Sequence, residues 1–385
     1  MDVSWFIASK LRFKGKVAMS CITVSFLVMI VAVAISSGFR NEIRSGISEI
    51  SGDVLVSAPD LNVMSETSPV DVSDSCASYL KTAGSVADVI PVVWRAGIVR
   101  NGSGMHGVIL KGIPSMSSDS VSLGVSIPRR LAQVSGLEPG DMMLTYFVGE
   151  NMKVRQFNVV DVHDALVQTD DSYVVYAALP DMQRLNQWNE NQVSALEVHL
   201  EEGLDSEEEI VAATAEIGFM LNARRDDLVA TSSVSRYPQL FNWLTLIGFN
   251  VGIILLLMTV VAGFNMISGL LILLFENIST IGILKSMGMT DRAISKVFLA
   301  SSANLLGKGM VIGNVLAVLF CMIQKRTHLI KLDPENYYVS FVPVDVDLGI
   351  VLFADAVSFA AIMLLLLIPC LFISRVDPAR TVRVR

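Results

Sequence analysis

Charge is what this sequence has least of. Only 17% of its 385 residues are Asp, Glu, Lys or Arg, while 52% are hydrophobic. So little charge on so apolar a chain points to a membrane protein. Cysteine is scarce as well. Cys21, Cys321 and Cys370 fall in or at apolar runs, and Cys76 stands alone in the polar part, which excludes a disulfide within that part. Four scattered histidines, His106, His163, His199 and His328, include no pair at metal-ligand spacing. His163 and Asp164 follow a strand-like run, but two residues do not make a catalytic set. No G-x-x-x-x-G-K-[ST] occurs, so the chain has no Walker A nucleotide site of its own. A G-x-G-x-x-G does occur at Gly102–Gly107. A pyrophosphate needs the N–H groups of a following helix, and here the strand-like Val108-Ile109-Leu110 follows instead. We read a glycine-rich hairpin. The expectation is a non-catalytic chain with no metal and no cofactor of its own.

What the sequence has in quantity is apolar length. Four runs, at roughly 17–37, 240–274, 294–323 and 348–373, reach the ~20 residues that a helix needs to cross a bilayer. Residues 40–238 hold 14 Lys/Arg against 28 Asp/Glu, a net of −14, while the remainder of the chain carries +6. The acidity therefore belongs to one polar block between the first two runs, and nucleic acid is not an expected partner. Basic residues near span ends set orientation. Lys10, Arg12, Lys14 and Lys16 precede the first run, Lys285, Arg292 and Lys296 lie between the second and third, and Arg375, Arg380, Arg383 and Arg385 follow the fourth. Against them stand Lys325, Arg326 and Lys331. This predicts cytoplasmic termini, a cytoplasmic 276–299 segment, and a polar block on the other side.

Ala32-Val33-Ala34 fits the cleavage pattern of a leader peptide. Phe39, Ile43, Ile47 and Ile50 nevertheless continue the helical spacing, so the first run is expected to stay and to leave the membrane as one rod. The second run, Gln239 to Leu274, would make about 54 Å of helix against a ~30 Å hydrocarbon core, so its outer turns are expected above the membrane. Within the polar block, strand-like stretches at Asp53–Ser57, Val89–Trp94, Gly107–Ile113, Met142–Phe147, Phe157–Val162 and Ser172–Tyr176 alternate with helical patterns near 128–136, 179–188 and 205–221. Ser57–Ser75 reads as a surface loop. The expected fold is thus an α-helical membrane protein with four transmembrane helices and a large α+β domain between the first and second. Its parts are 1–50 (flank, first span and extension), 51–237 (α+β domain) and 238–385 (three further spans).

Three features carry function. The segment ENISTIGILKSMGMTDRAISKVFL at 276–299 interrupts the apolar runs. Ile278, Ile281 and Leu284 share one helical side, Gly288 suits a helix end, and Thr290 with Asp291 suits the start of the next helix. A short helix across the inner face follows, either a plain connector or a docking helix for a cytoplasmic partner that moves the spans. Lys308, with Asn304 one turn away, lies inside the third run, and Asp355 is the only acid inside a span. Lys308 pairs with Asp355, or faces a water-lined interior, or marks a shifted span boundary. Gly309, Gly313, Ala317 and Cys321 make a small-residue stripe for close helix packing, within the chain or across a dimer.

Several stretches resemble one family. Phe264-Asn265-Met266-Ile267-Ser268, Glu276 and Ile281-Gly282-Ile283-Leu284-Lys285-Ser286-Met287-Gly288 resemble the signature of FtsX/MacB-like ABC permeases, and most of all the LolC/LolE lipoprotein-releasing family. Ser37-Gly38-Phe39-Arg40-Asn41-Glu42-Ile43, Leu131-Ala132 with Gly136–Asp141, Asp333–Tyr338 with Val342-Pro343-Val344, and Asp377-Pro378-Ala379 with Val382-Arg383 add to it.

The resemblance implies an inner-membrane permease with a periplasmic MacB-like core domain, working as a homo- or heterodimer. It implies a separate ABC ATPase, which holds the ATP and Mg, docked on a coupling helix at 276–288 through Glu276, Ile278, Ile281, Gly282, Leu284, Lys285 and Gly288. Closure driven by that ATPase would release a lipoprotein from the outer leaflet to a soluble periplasmic carrier. Lipid contact is expected from Val31, Ile35 and Phe39 on span one, and from Phe241, Leu244 and Gly248 on span two. The docking helix lacks the family's charged lead-in, and the turn at Val148–Met152 is shorter than its carrier hook. The same motifs also fit a related mechanotransmission permease for peptides, drugs or cell-wall hydrolases. A membrane-anchored scaffold would lack the ATPase.

Overall fold

A computed structural model describes residues 16–62, 69–72, 74–101, 104–116, 123–147, 152–164, 173–201, 203–204, 206–333 and 337–370. The N-terminal cations through Lys14, the turn at 148–151, residues 334–336 and the C-terminal motif beyond 370 lie outside them, as do Gly102-Ser103 and parts of the Ser57–Ser75 stretch.

Four helices are long and apolar enough to cross a membrane: Val17–Ser51, Pro238–Glu276, Asp291–Thr327 and Leu348–Cys370. We call them spans one to four. Contacts divide the chain into two units. One holds residues 1–41, 243–331 and 341–385; the other holds Glu42–Asn242 with Leu332–Ser340. Spans one and two contribute to both units, since the division cuts them after Asn41 and Asn242.

In the membrane unit the small-residue stripe of span three packs on span one within the chain. A Cβ on Gly309 would sit 2.6 Å from Ile22, and one on Gly313 would sit 2.7 Å from the Thr23 carbonyl. Further along, Ala317 clusters with Ile30, and Cys321 with Ala34. The two helices run parallel with a constant offset, so each residue of span three has a level on span one. Small side chains let the backbones approach and trade bulk for many dispersion contacts. Ile22 and Phe26 join Met266, Leu270, Phe298 and Ile362 in the core of the bundle.

The second unit is α+β. Its strands are β1 Val54–Ser57, β2 Val70–Asp71, β3 Val86–Asn101, β4 Gly104–Ile113, β5 Gly124–Pro128, β6 Met142–Phe147, β7 Lys153–His163, β8 Tyr173–Ala178, β9 Gln192–Val193, β10 Ala195–Leu200 and β11 Val229–Ser232. Nine of them form one sheet in the order β11-β1-β10-β3-β4-β8-β5-β7-β6, and β6 also pairs with β3. Six strands therefore close on themselves, which removes the free edges of that part. Its interior is filled by Val99, Leu110, Ile127, Phe147, Phe157 and Val175.

The glycine-rich motif lies where β3 and β4 pair antiparallel out to Asn101 opposite Gly104, which is a hairpin and not a nucleotide loop. Each expected strand is present. β3 extends well beyond Val89–Trp94, because its first part pairs with β10 and its second with β4 and β6. β10 escaped the sequence reading: Ala195–Leu200 carries Glu197 and His199, yet five of its six residues are buried on a strand inside the sheet. The helix Glu207–Asn222 begins with a full capping box, Ser206 with Glu209.

Candidate functional site

The segment 276–290 is a helix bounded by two backbone breaks. Span two ends at Glu276, and Asn277 leaves helical geometry while its side-chain amide donates to the Leu273 carbonyl at 2.8 Å. The short helix Ile278–Ser286 follows. It stops at Gly288, whose φ of 87° suits glycine. Thr290 caps span three by accepting from the Ala293 N–H. Lys285 reaches across the break to Asp291 at 2.8 Å and is mostly covered, so this ion pair fixes the short helix against the start of span three.

The named positions divide by burial. Ile281 is 1% exposed and Gly282 is buried, both seated on the bundle core, with Leu284 packed beside them. Ile278 is half-buried, and Glu276 and Gly288 are exposed. The outward face consists of Ser279, Thr280, Ile283, Ser286 and Met287, with Ile283 52% and Met287 79% exposed. This outward face is therefore uncharged, part polar and part apolar. The sequence reading singled out the seat of the helix more than its outer face.

On spans one and two, Phe39, Phe241 and Leu244 are buried, and Val31, Ile35 and Gly248 are half-buried. Phe39 meets the Trp243 ring edge-on at 5.5 Å. Val31 and Ile35 line the contact with Ala34, Cys321 and Val344. Two stretches that carry the family resemblance touch here. Gly38 lies under Pro343, and a Cβ on it would come within 2.5 Å of the Pro343 carbonyl oxygen. The Asp345 N–H donates to the Ala34 carbonyl at 2.9 Å, and the Asn41 side chain donates to the Asp345 carboxylate at 2.7 Å. Buried Gln324 holds the same connection by donating to the carbonyls of Ile330 and Val342 and accepting from the Ile330 N–H. The loop after span three is thus strapped onto span one.

Lys308 and Asp355 do not pair. Asp355 is 4% exposed and accepts from the Asn314 amide on span three, and one turn further Thr259 of span two bonds Ser358. Lys308 and Asn304 both face outward. The offset between spans one and three puts Asn304 level with Val17 and Lys308 level with Cys21, at the start of the apolar run of span one. Of the three readings, the shifted span boundary fits this placement.

The second unit contains a clamp that the sequence did not reveal. Span one ends with no basic residue in its last turn. The Lys111 ammonium of β4 supplies that charge instead, donating to the Glu49 carbonyl at 3.0 Å and the Ile50 carbonyl at 2.8 Å, and pairing with Glu197 of β10 at 2.7 Å. Cations at a helix C-terminus satisfy its orphan carbonyls and its dipole. Lys111 and Glu197 are 3% and 1% exposed. Burial pushes the Glu197 carboxyl up to about 7 against the pull of Lys111, and burial draws the Lys111 ammonium down. Arg236 donates to the Ser51 carbonyl at 3.2 Å, just before span two begins. Gly52, at φ 67°, closes the helix by donating to the Ser48 carbonyl, and a Cβ there would press on Glu197 at 3.0 Å. A lone lysine in the apolar run Val108–Ile113 was the sequence signal for this clamp. Beside it opens a cavity of about 680 Å³ whose wall includes Asp88, Pro91, His163, Tyr176 and His199.

Residues 252–378 match the family model described as FtsX-like permease C-terminal. The chain carries an FtsX-like permease domain. Its whole length is similar to curated relatives. One is the lipoprotein-releasing system transmembrane protein LolC of Neisseria meningitidis, 23% identical over 97% of this chain and 94% of that protein. Another is LolE of Haemophilus influenzae, 22% identical over 93% of this chain and 91% of that protein. The resemblance to LolC/LolE read from the motifs is borne out by the matched domain and by these relatives. The solved periplasmic region of MacB from Actinobacillus actinomycetemcomitans aligns at 14% identity, covering 51% of this chain and 96% of that one, with a TM-score of 0.33.

Proposed function

We propose that this chain is the membrane subunit of a lipoprotein-releasing ABC machine of the bacterial inner membrane, with cytoplasmic termini and a periplasmic α+β domain. A separate ATPase binds ATP and Mg and docks on the outward face of the Ile278–Ser286 helix. Its closure moves spans one and two as stiff rods, and a lipoprotein leaves the outer leaflet for a soluble carrier. Two protomers, identical or paired, enclose the lipid near Val31, Ile35, Phe39, Phe241, Leu244 and Gly248.

The observation that carries this reading is the similarity to LolC and LolE over more than nine-tenths of the chain. The geometry supports it in two places. The docking helix is locked to span three by Lys285–Asp291, and span one is clamped at its far end by Lys111. A strap and a clamp at the outer turns suit a rod that must not fray under load. The test is reconstitution of the chain with its co-purifying ATPase in proteoliposomes loaded with a triacylated lipoprotein. ATP-dependent transfer of the lipoprotein to a soluble acceptor is expected. A complex that hydrolyses ATP yet releases peptides or drugs instead would assign the related mechanotransmission role.

A further inference from the structure

Span three carries a second stripe, about 100° around the helix from its small residues. Arg292, Lys296, Asn304 and Lys308 recur at multiples of four residues and are all exposed. No ion pair or hydrogen bond to any of these four side chains occurs among the described residues. The stripe is electropositive along its whole length, because the nearby Asp291 carboxylate is already held by Lys285.

Two independent observations locate it. The packing offset with span one puts Asn304 at the level of Val17, where the apolar run of that helix begins, and Lys308 about 6 Å further in. The exposed apolar surface of span three agrees. Its first large exposed apolar residue is Val311, and from there Val315, Leu319 and Ile323 continue outward. The lipid-facing part therefore starts just beyond Lys308. A lysine within one turn of the hydrocarbon edge extends its stem to the headgroups, and a bare ammonium there needs an anion.

We propose that Lys308 and Asn304, with Lys296 and Arg292 below them, form a binding site for an anionic phospholipid of the cytoplasmic leaflet. The headgroup phosphate accepts from the Lys308 ammonium and the Asn304 amide. The acyl chains lie along Val311 and Val315. Lys296 and Arg292 extend the attraction toward the surface. The site pins span three at a fixed depth just above the docking helix. It rests on the cytoplasmic placement of the Ile278–Ser286 helix in that reading, but it concerns the leaflet opposite to the lipoprotein and needs no ATPase.

Native mass spectrometry of the full chain from mixed micelles of phosphatidylglycerol and phosphatidylcholine tests this. The wild type is expected to retain phosphatidylglycerol preferentially. Each cation removed in Lys308→Gln and Lys308→Gln/Lys296→Gln is expected to weaken that preference by about fivefold. Lys308→Arg/Lys296→Arg, which keeps the charge, should retain it and so controls for folding. Equal retention of both lipids by the wild type, or an unchanged preference in the double glutamine variant, would overturn the proposal. So would displacement of the lipid by inorganic phosphate, or a Lys308→Cys disulfide between protomers, which would put a second copy on the stripe.

Discussion

At the scale of single residues, the molecule invests most in the place where span one ends. Lys111 spends its three N–H groups on two helix carbonyls and one carboxylate. Removing it leaves Glu197 as a buried charge without its partner, which typically costs about 3–5 kcal/mol. Lys111→Met should therefore lower the thermal midpoint of the detergent-purified chain sharply. Lys111→Met/Glu197→Leu should recover most of the loss, because a well-packed apolar pair can replace a buried ion pair. The neighbouring His199 gives a pH signature. Burial holds its imidazole below the usual 6.5, although Asp53 pulls the other way, and its Nδ1 meets Ser48 of span one. The unfolded chain protonates at the ordinary value, so it binds more protons than the fold in the window just below 6.5. The stability from this group is whole above 6.5 and is lost as pH falls through the depressed folded value. His199→Gln should flatten the fall in thermal midpoint between neutral pH and pH about 5.5. An equally steep fall in the variant would refute the assignment.

These residues also mark the limit of what a sequence says. Apolar length, the small-residue stripe and the Gly288–Thr290 break are local patterns, and each was legible. Lys111 was visible only as an odd charge in an apolar strand, because its partners Glu49, Ile50 and Glu197 are 62, 61 and 86 positions away. Lys308 was legible as an anomaly but not as a boundary marker, since depth depends on which residue of span one lies beside it. Asp355 invited pairing with Lys308. The packing instead brings Asn314 to it, and Asn314 is too ordinary a residue to single out in advance.

At the scale of elements, two helix contacts decide how motion can pass. Spans one and three touch backbone to backbone through Gly309 and Gly313. Gly313→Leu would drive a branched side chain into Thr23 and Phe26. Overpacking of this kind costs about 1–3 kcal/mol, so the variant should insert but unfold earlier on heating. In the proposed function the Ile278–Ser286 helix docks the ATPase through its outward face. Ile283→Glu/Met287→Glu should abolish co-purification of the ATPase while leaving the thermal midpoint unchanged. Ile281→Glu places a charge in the seat of the helix and should lower both. A docking contact made by the buried side would reverse that pattern.

At the scale of the whole molecule, the account requires that the docking helix and the acidic α+β domain lie on opposite sides of the membrane. Spans one and two then work as rods between an ATPase and a lipid. Impermeant maleimide labelling of intact cells reads this directly, with single cysteines replacing Ser286 and Asp164 in a chain whose four native cysteines are removed. Both positions are exposed, so each can react. Asp164→Cys should label in intact cells, and Ser286→Cys only after the inner membrane is opened. Labelling of both from the same side would contradict the account.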